Sequence, residues 1–333
     1  MSNYPAVCHI AEKLRNKELH AARSGREVMQ ALAALVADSH ATDAQALCSE
    51  VEGAIDALLV VLPPYAPPLN VIHLVMSRIE EAQANGKTVN ELKAVINEDA
   101  ENYRAWSENA RERIASLASA LIREGSTVFT FTLSETIIIT FRAAVRQGKT
   151  FKVLVTESRP NYDGLMTAAQ LAQAGICVEL SVDASIGKLV PCADIMMVGA
   201  EGVMANGSAV CKVGTYPAAL VAHTHRVPVY VVVDTMKFDL TSLVGFSLDK
   251  DPVQTTDVFA QRHGEGAKVA GHLFDQTPPE LIDAIITERG ILNPKDCYTL
   301  FGSMRFSKRL GAKLQNSTYQ KVEKFILKDK NNV

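Results

Sequence analysis

Three polar segments carry the residue types that could hold and transform a charged small molecule. The first, residues 130–134, offers the hydroxyls of Thr130, Thr132 and Ser134. The second, ESRPNYDG at 157–164, sets Glu157, Ser158 and Arg159 ahead of Pro160 and Gly164. A guanidinium forks onto phosphate oxygens, proline fixes a turn, and Gly164 lies near a helix start whose free amides attract anions. The same run reads equally as a capped strand-to-helix loop in which Arg159 pairs with a neighbouring carboxylate. The third, VGAEGVMANGSAVCKVGT at 198–215, contains Glu201, Asn206, Gly207 and Lys212. Its small residues let the backbone turn tightly against a ligand, and Lys212 supplies a point charge beside the helix start at Gly214–Thr215. Packing accounts for such glycine-rich loops as readily as a ligand does. It is neither a Walker A loop nor GxGxxG, so no ordinary nucleotide fingerprint is present.

Glu201 follows an apolar run and is the candidate for a shifted carboxylate, because burial raises such a group while Lys212 or Arg159 would lower it. A plain loop hydrogen-bond acceptor is the competing reading. His223 and His225 fall in the turn before a strand and read as surface residues. Cys177 and Cys211 read as packing residues, since nothing in the sequence sets a base beside them. The six cysteines are widely spaced without a CxxC pair or nearby histidines, which speaks against a metal centre or a disulfide framework.

The elements that must position these residues fall into two halves. From about residue 5 to 122 apolar residues recur at three- and four-residue spacing, which predicts a helical bundle. The proline-rich run at 62–70 ends one helix and starts the next. From Gly125 the pattern changes to short β-branched runs at 127–131, 151–156, 176–182, 194–199 and 227–233, separated by helix-length stretches at 134–147, 164–174 and 214–225. Continuous apolar runs of this kind are parallel strands buried on both faces. The expected architecture is α/β: an N-terminal helical domain over 1–122, then a doubly wound Rossmann-like parallel sheet over 123–302. A further helix is expected at 278–290, and a long irregular, mobile excursion between Asp239 and Thr277. In an open sheet of this type ligands bind beyond the carboxyl ends of the strands. That edge gathers Thr130, Thr132, Ser134, Thr156, Glu157, Ser158, Arg159, Asp183, Glu201, Asn206, Gly207 and Asp234.

With 333 residues, 47% hydrophobic and 21% charged, the chain is long enough for two self-supporting cores. Its mean hydropathy is +0.06, and no apolar run approaches the roughly 18 residues that cross a bilayer. The N-terminal stretch lacks the features of a secretory signal, so a cytosolic setting is expected. A net charge of −3 gives no general field for nucleic acid. That average hides an uneven distribution. Residues 303–333 carry eight basic against two acidic side chains, leaving the rest of the chain strongly acidic. This segment is expected to be a basic extension beyond the fold, either a solvated tail or a terminal amphipathic helix.

The ordered set VTESRPNYDG, VGAEGV, ANG, KVGT, VPVYVVVDTMKF and PPELI resembles one family. That family joins the regulatory subunits of eukaryotic translation initiation factor 2B to isomerases acting on methylthioribose 1-phosphate and ribose 1,5-bisphosphate. TESRPN and VGAEG look most like the alpha subunit. The resemblance runs from about residue 20 to 300 and implies a helical domain followed by a dimerising α/β domain. The isomerases of the family use a cysteine after the first strand and an aspartate in VGAD as an acid/base pair. Those positions fall here on Thr132 and Glu201, and Cys211 stands where asparagine commonly precedes the lysine.

A hydroxyl is a far poorer proton acceptor than a thiolate. The resemblance with these departures therefore implies a regulatory, non-catalytic subunit of the guanine-nucleotide exchange factor. It implies an inherited pocket for a sugar phosphate or nucleoside monophosphate and no cofactor or metal. The expected partners are a second copy of the chain, the other initiation factor 2B subunits and the phosphorylated alpha subunit of initiation factor 2. The pocket would be lined by Thr132, Ser134, Glu157, Arg159, Glu201, Asn206, Gly207 and Lys212. The alternative is an active sugar-phosphate aldose–ketose isomerase.

Overall fold

A computed structural model describes residues 4–16, 18–62, 65–244 and 271–314. Five helices come first: α1 (Pro5–Arg15), α2 (Ala21–Asp38), α3 (Ala44–Leu59), α4 (Ala66–Ala84) and α5 (Val89–Ala120). Their starts follow from local chemistry. The Asp43 carboxylate accepts from the Ala46 amide at 2.8 Å and caps α3. Thr88 and Glu91 form a reciprocal capping box at the head of α5, with the Thr88 amide 2.8 Å from Glu91 and the Glu91 amide 3.3 Å from Thr88 Oγ1. Pro67 and Pro68 fall in the first turn of α4, where a missing amide proton costs nothing.

The described chain forms two compact units, the division falling within α5 after Arg104. In the helical unit α2 packs on α1 and α4, and α3 on α2 and α4, burying Leu32, Val36, Val51, Ile55, Ile72 and Ile79 completely or nearly so. Arg78 clamps Asp99 through two hydrogen bonds of 2.6 and 2.8 Å, which drives the guanidinium above its already high range. Residues 303–314 belong to this unit. Arg305 pairs with Glu81, Arg309 with Glu52 at 2.8 Å, and Lys313 with Asp56, while Leu310 is buried. These exposed basic side chains thus pair with the acidic faces of α3 and α4. Lys308 is exposed, and the tail lysines from 321 onward lie outside the described residues.

The second unit is the α/β half. Its elements run β1 (Thr127–Thr130), α6 (Glu135–Arg146), β2 (Lys152–Thr156), α7 (Asp163–Gln173), β3 (Cys177–Ser181), α8 (Ile186–Leu189), β4 (Ile195–Val198), β5 (Gly202–Val203), β6 (Ala209–Lys212), α9 (Thr215–His225), β7 (Val229–Val232), β8 (Phe274–Thr277), β9 (Ala284–Thr287), β10 (Gly290–Leu292) and α10 (Tyr298–Phe301). A seven-stranded sheet has the order β10-β9-β7-β4-β1-β2-β3. It is parallel except for the β9–β10 pair. The doubly wound α/β fold expected from the sequence is therefore present. Val128, Phe141, Val153, Met197, Val232 and Ile286 form the centre of its core. Strands β1, β2, β4 and β9 are buried nearly throughout. β3 differs, because as an edge strand it leaves Cys177, Glu179 and Leu180 exposed.

Two expectations are corrected. The segment 278–290 is no helix: a single 3-10 turn at Pro279–Leu281 leads into β9 and then, through Gly290 at φ 133°, into β10. Ile285 and Ile286 are fully buried and pair in parallel with Val231 and Val232, a burial that a surface helix would not give them. Part of the expected irregular excursion is also regular. β8 completes a small antiparallel sheet, β5-β6-β8, whereas residues 245–270 lie outside the described residues.

Candidate functional site

The strand order reverses between β1 and β4, and the loops leaving those strands frame the crevice in which open α/β sheets bind ligands. Thr132 leaves β1 with φ 63°, a left-handed conformation that costs a β-branched residue about 1–3 kcal/mol. Three contacts hold it there. Its amide donates to Ser158 Oγ at 2.8 Å, its carbonyl accepts from Thr167 Oγ1 at 2.8 Å, and its hydroxyl donates to Asp163 Oδ2 at 3.3 Å. All four side chains are buried.

The loop after β2 is braced from below. Asp183 accepts the Ser158 amide at 2.9 Å and the Arg159 amide at 2.8 Å. Ser158 and Tyr162 both take positive φ, near 57° and 59°. Gly164 then brings α7 against the strand so closely that a Cβ would lie 1.7 Å from the Thr156 carbonyl oxygen. The glycine is needed for that approach, and the approach delivers Asp163 to Thr132. Arg159 lies over the Tyr162 ring at 4.8 Å and donates to its hydroxyl.

Lys212, at the end of β6, is buried; its ammonium is 3.3 Å from Asp163 Oδ2 and 5.2 Å from the centre of the Phe274 ring. Gly214, at φ 106°, starts α9 against Phe131. The first amides of that helix are occupied: Gly214 and Tyr216 donate to Asp275 Oδ2 at 2.7 and 3.0 Å. After β4, Glu201 is partly buried, and its Oε2 lies 3.4 Å from the ammonium of buried Lys237. Lys237 also donates to the Ala200 carbonyl at 2.7 Å. Burial, helped by Asp275 and Glu201, drives the Cys211 thiol well above its usual range, so it stays protonated.

Of the residues singled out from sequence, the structure brings Thr132 and Lys212 to one carboxylate and sets Glu201 beside a lysine. Ser134 caps α6, accepting from the Ile137 amide at 3.4 Å. It also faces Gly199, where a Cβ would lie 2.4 Å from its Oγ. The Glu157 carbonyl accepts the Gly164 amide at 3.1 Å. Asn206 and Gly207 build the β5–β6 turn, at the opposite end of that hairpin from Lys212: Asn206 Oδ1 accepts the Ser208 amide at 3.0 Å, and Gly207 takes φ 83° against Pro294. Asp234 caps a 3-10 turn through the Met236 amide at 3.0 Å.

Sequence reasoning missed Asp163 and Lys237, the two partners that complete the charge pairs. Asp163 had a signal, an acidic residue in the first turn of a helix. Lys237 lies just beyond the fifth apolar run, at the same edge as Asp234. Among the described residues no group of His, Cys, Asp or Glu could hold a metal ion, and no helix is long and apolar enough to cross a membrane.

Comparison with known proteins adds a lineage to this geometry. Residues 18–294 match the model described as the Initiation factor 2 subunit family. The chain is 33% identical over 293 residues to a ribose 1,5-bisphosphate isomerase of Thermococcus kodakarensis, covering 86% of this chain and 91% of that protein. Proteins of the same name from five further archaea match at 28–33% identity. A putative translation initiation factor eIF-2B subunit 2-like protein of Pyrococcus furiosus is 36% identical over a shorter stretch, 60% of this chain and 70% of that protein. Among solved structures, the tetrameric eIF2B beta2-delta2 complex from C. thermophilum superposes with a TM-score of 0.71 at 21% identity, over 90% of this chain and 94% of that one.

These relatives correct the expectation of a regulatory, non-enzymatic exchange-factor subunit. The proteins that align over most of both chains, in one archaeon after another, carry the name of an enzyme. None of these relatives or neighbours shows the phosphorylated alpha subunit of initiation factor 2 as a partner.

Proposed function

The chain belongs to the Initiation factor 2 subunit family, and from that premise we propose that it is a sugar-phosphate isomerase that interconverts the aldose and ketose forms of a pentose phosphate of the ribose 1,5-bisphosphate class. The observation that carries this reading is the Glu201–Lys237 pair at the carboxyl end of β4, beside the point where strand order reverses. Moving the oxidation level of a sugar from C1 to C2 needs a base for the C2 hydrogen and a cation near the oxygen that gathers charge. A partly buried carboxylate serves as the base. The ring opens first: the C1–O4 bond breaks, its pair and a proton from solvent go to O4, and C1 is left as an oxocarbenium. The proton then leaves C2 for Glu201, the C–H pair forms the C1–C2 double bond, and loss of the O2–H proton with return of a proton to C1 leaves the carbonyl at C2 and the phosphate still on O1. Lys237 is placed to hold the carboxylate and to neutralise O2 of the enol as its proton leaves.

Relative to the pattern of the family's isomerases, Glu201 keeps the carboxylate with one more methylene, and Thr132 keeps a hydroxyl donor without a thiolate. Lys212 and Arg159 are the phosphate-holding groups of this proposal, with Ser134 and Glu157 at the same edge. A cytosolic homodimer is part of it, supported by free cysteines throughout the described chain and by an oligomeric structural neighbour.

The test is direct. Purified protein is incubated with ribose 1,5-bisphosphate and, separately, with methylthioribose 1-phosphate, and the ketose is followed by carbon NMR. Turnover of the bisphosphate is expected; no ketose from either compound sinks the proposal.

A further inference from the structure

Three anion-seeking features at this edge already face a carboxylate of the chain itself. The Lys212 ammonium meets Asp163 at 3.3 Å, the first amides of α9 meet Asp275 at 2.7 and 3.0 Å, and the Lys237 ammonium meets Glu201 at 3.4 Å. Asp275 and Glu201 have evident local work, one in fixing a helix start and the other in the proposed proton transfer. Asp163 differs. Its Oδ2 takes two donors, Lys212 and Thr132, that point from different strands into the same place. Its own position is forced by the left-handed Tyr162 before it and by the Gly164 approach behind it. The result is a carboxylate oxygen seated where an oxygen of a phosphate would sit to be held by a lysine and a hydroxyl.

We propose that Asp163 is a built-in anion that fills the phosphate seat of Lys212 and sets the affinity and charge selectivity of that seat. This rests on the reading of the edge as a sugar-phosphate site. An ammonium already neutralised at 3.3 Å attracts an incoming anion weakly, because the carboxylate repels what the lysine attracts. A dianionic phosphate monoester can displace a single carboxylate, whereas a monoanionic ester has little advantage over it. Asp163 is therefore a specificity-determining residue: it favours phosphorylated sugars over singly charged acids of similar shape.

The experiment measures binding of ribose 5-phosphate and of the monoanionic ribose 5-sulfate to the full chain by titration calorimetry at pH 8. It compares wild type, Asp163→Asn, and Asp163→Asn combined with Lys212→Met. Asp163→Asn keeps the shape and an acceptor oxygen for Thr132. It is expected to bind ribose 5-phosphate about tenfold more tightly, to gain at least as much toward the sulfate, and to lose both gains in the double variant. A merely structural role would change the melting temperature and weaken binding. Unchanged or weaker binding in Asp163→Asn overturns the inference, as does a gain that survives loss of Lys212, or no binding by any form. Tightening without isomerase turnover leaves this inference standing and removes the proposed function. Turnover with unaltered affinity does the reverse.

Discussion

Glu201→Gln is expected to lower kcat for ketose formation by roughly a thousandfold, with KM changed only a few-fold and the melting temperature unmoved. The amide has the shape of the carboxylate and still offers an oxygen to Lys237, so the loop after β4 keeps its contacts. What it loses is the capacity to take a proton, and groups in that role contribute on the order of 10²–10⁴-fold. A drop in kcat at constant KM marks an interaction made only in the transition state. Exchange of the C2 hydrogen with solvent deuterium gives an independent reading, because it reports proton removal even when the forward reaction is slow. If the glutamine variant turns over within tenfold of wild type, the base is elsewhere and the assignment of Glu201 fails.

The second large effect belongs to the helical unit and concerns pH. His73 on α4 is completely buried. Its Nδ1 accepts the Ser307 amide at 3.3 Å, and its ring stacks on Phe306 with centroids 4.7 Å apart. A charged imidazolium could not accept that bond and would be stranded from water, so burial lowers the group from 6.5 to about 4. The unfolded chain then binds a proton that the folded unit refuses. Stability contributed by neutral His73 is complete above pH 6.5 and is lost as pH falls from 6.5 toward 4, by about 2 kcal/mol between pH 7.5 and 5. Carboxylates with lowered values, Glu27 and Glu81, act in the same direction but only below 4.5. The slope between 6.5 and 5 is therefore the histidine's own. Urea unfolding followed by far-ultraviolet circular dichroism at several pH values measures it. His73→Asn, which keeps an acceptor for the Ser307 amide, is expected to flatten the slope. A wild-type protein equally stable at pH 5 and 7.5 would contradict the assignment.

The α/β half was largely legible because five of its strands are continuous β-branched runs, and an apolar run bounded by turns has few other fates. The candidate edge was legible for the same reason: once strands are parallel, the residues after each of them share one side of the sheet. Thr132 and Glu201 were found in this way, whereas Lys212 came from the glycine-rich run that precedes α9. The segment 278–290 was not, because isoleucines at 285 and 286 flanked by acidic residues fit a helical face and a buried strand equally well. Its partner β7 decided the matter. Asp163 escaped because its meaning lies in two residues from other strands, Thr132 and Lys212, and non-local meetings leave no periodicity behind. Arg305, Arg309 and Lys313 show composition without destination: their charge is plain in the sequence, while the acidic faces of α3 and α4 that receive it depend on which helix sides turn outward.

The distribution of thiols gives the protein a clock of its own. Cys177 and Cys192 are exposed, whereas Cys48 in the helical unit and Cys211 and Cys297 in the α/β unit are buried. Burial moves all three buried thiols away from the reactive thiolate, Cys297 to about 11. Half-buried Cys8 aside, an alkylating reagent thus reads two populations in one mass spectrum, a pair that reacts as soon as reagent arrives and a set that waits for its own unit to open. The waiting times of Cys48 and Cys211 report the opening of the two units separately. Ligand at the edge beside Cys211 lengthens one of them and leaves the other as the internal standard.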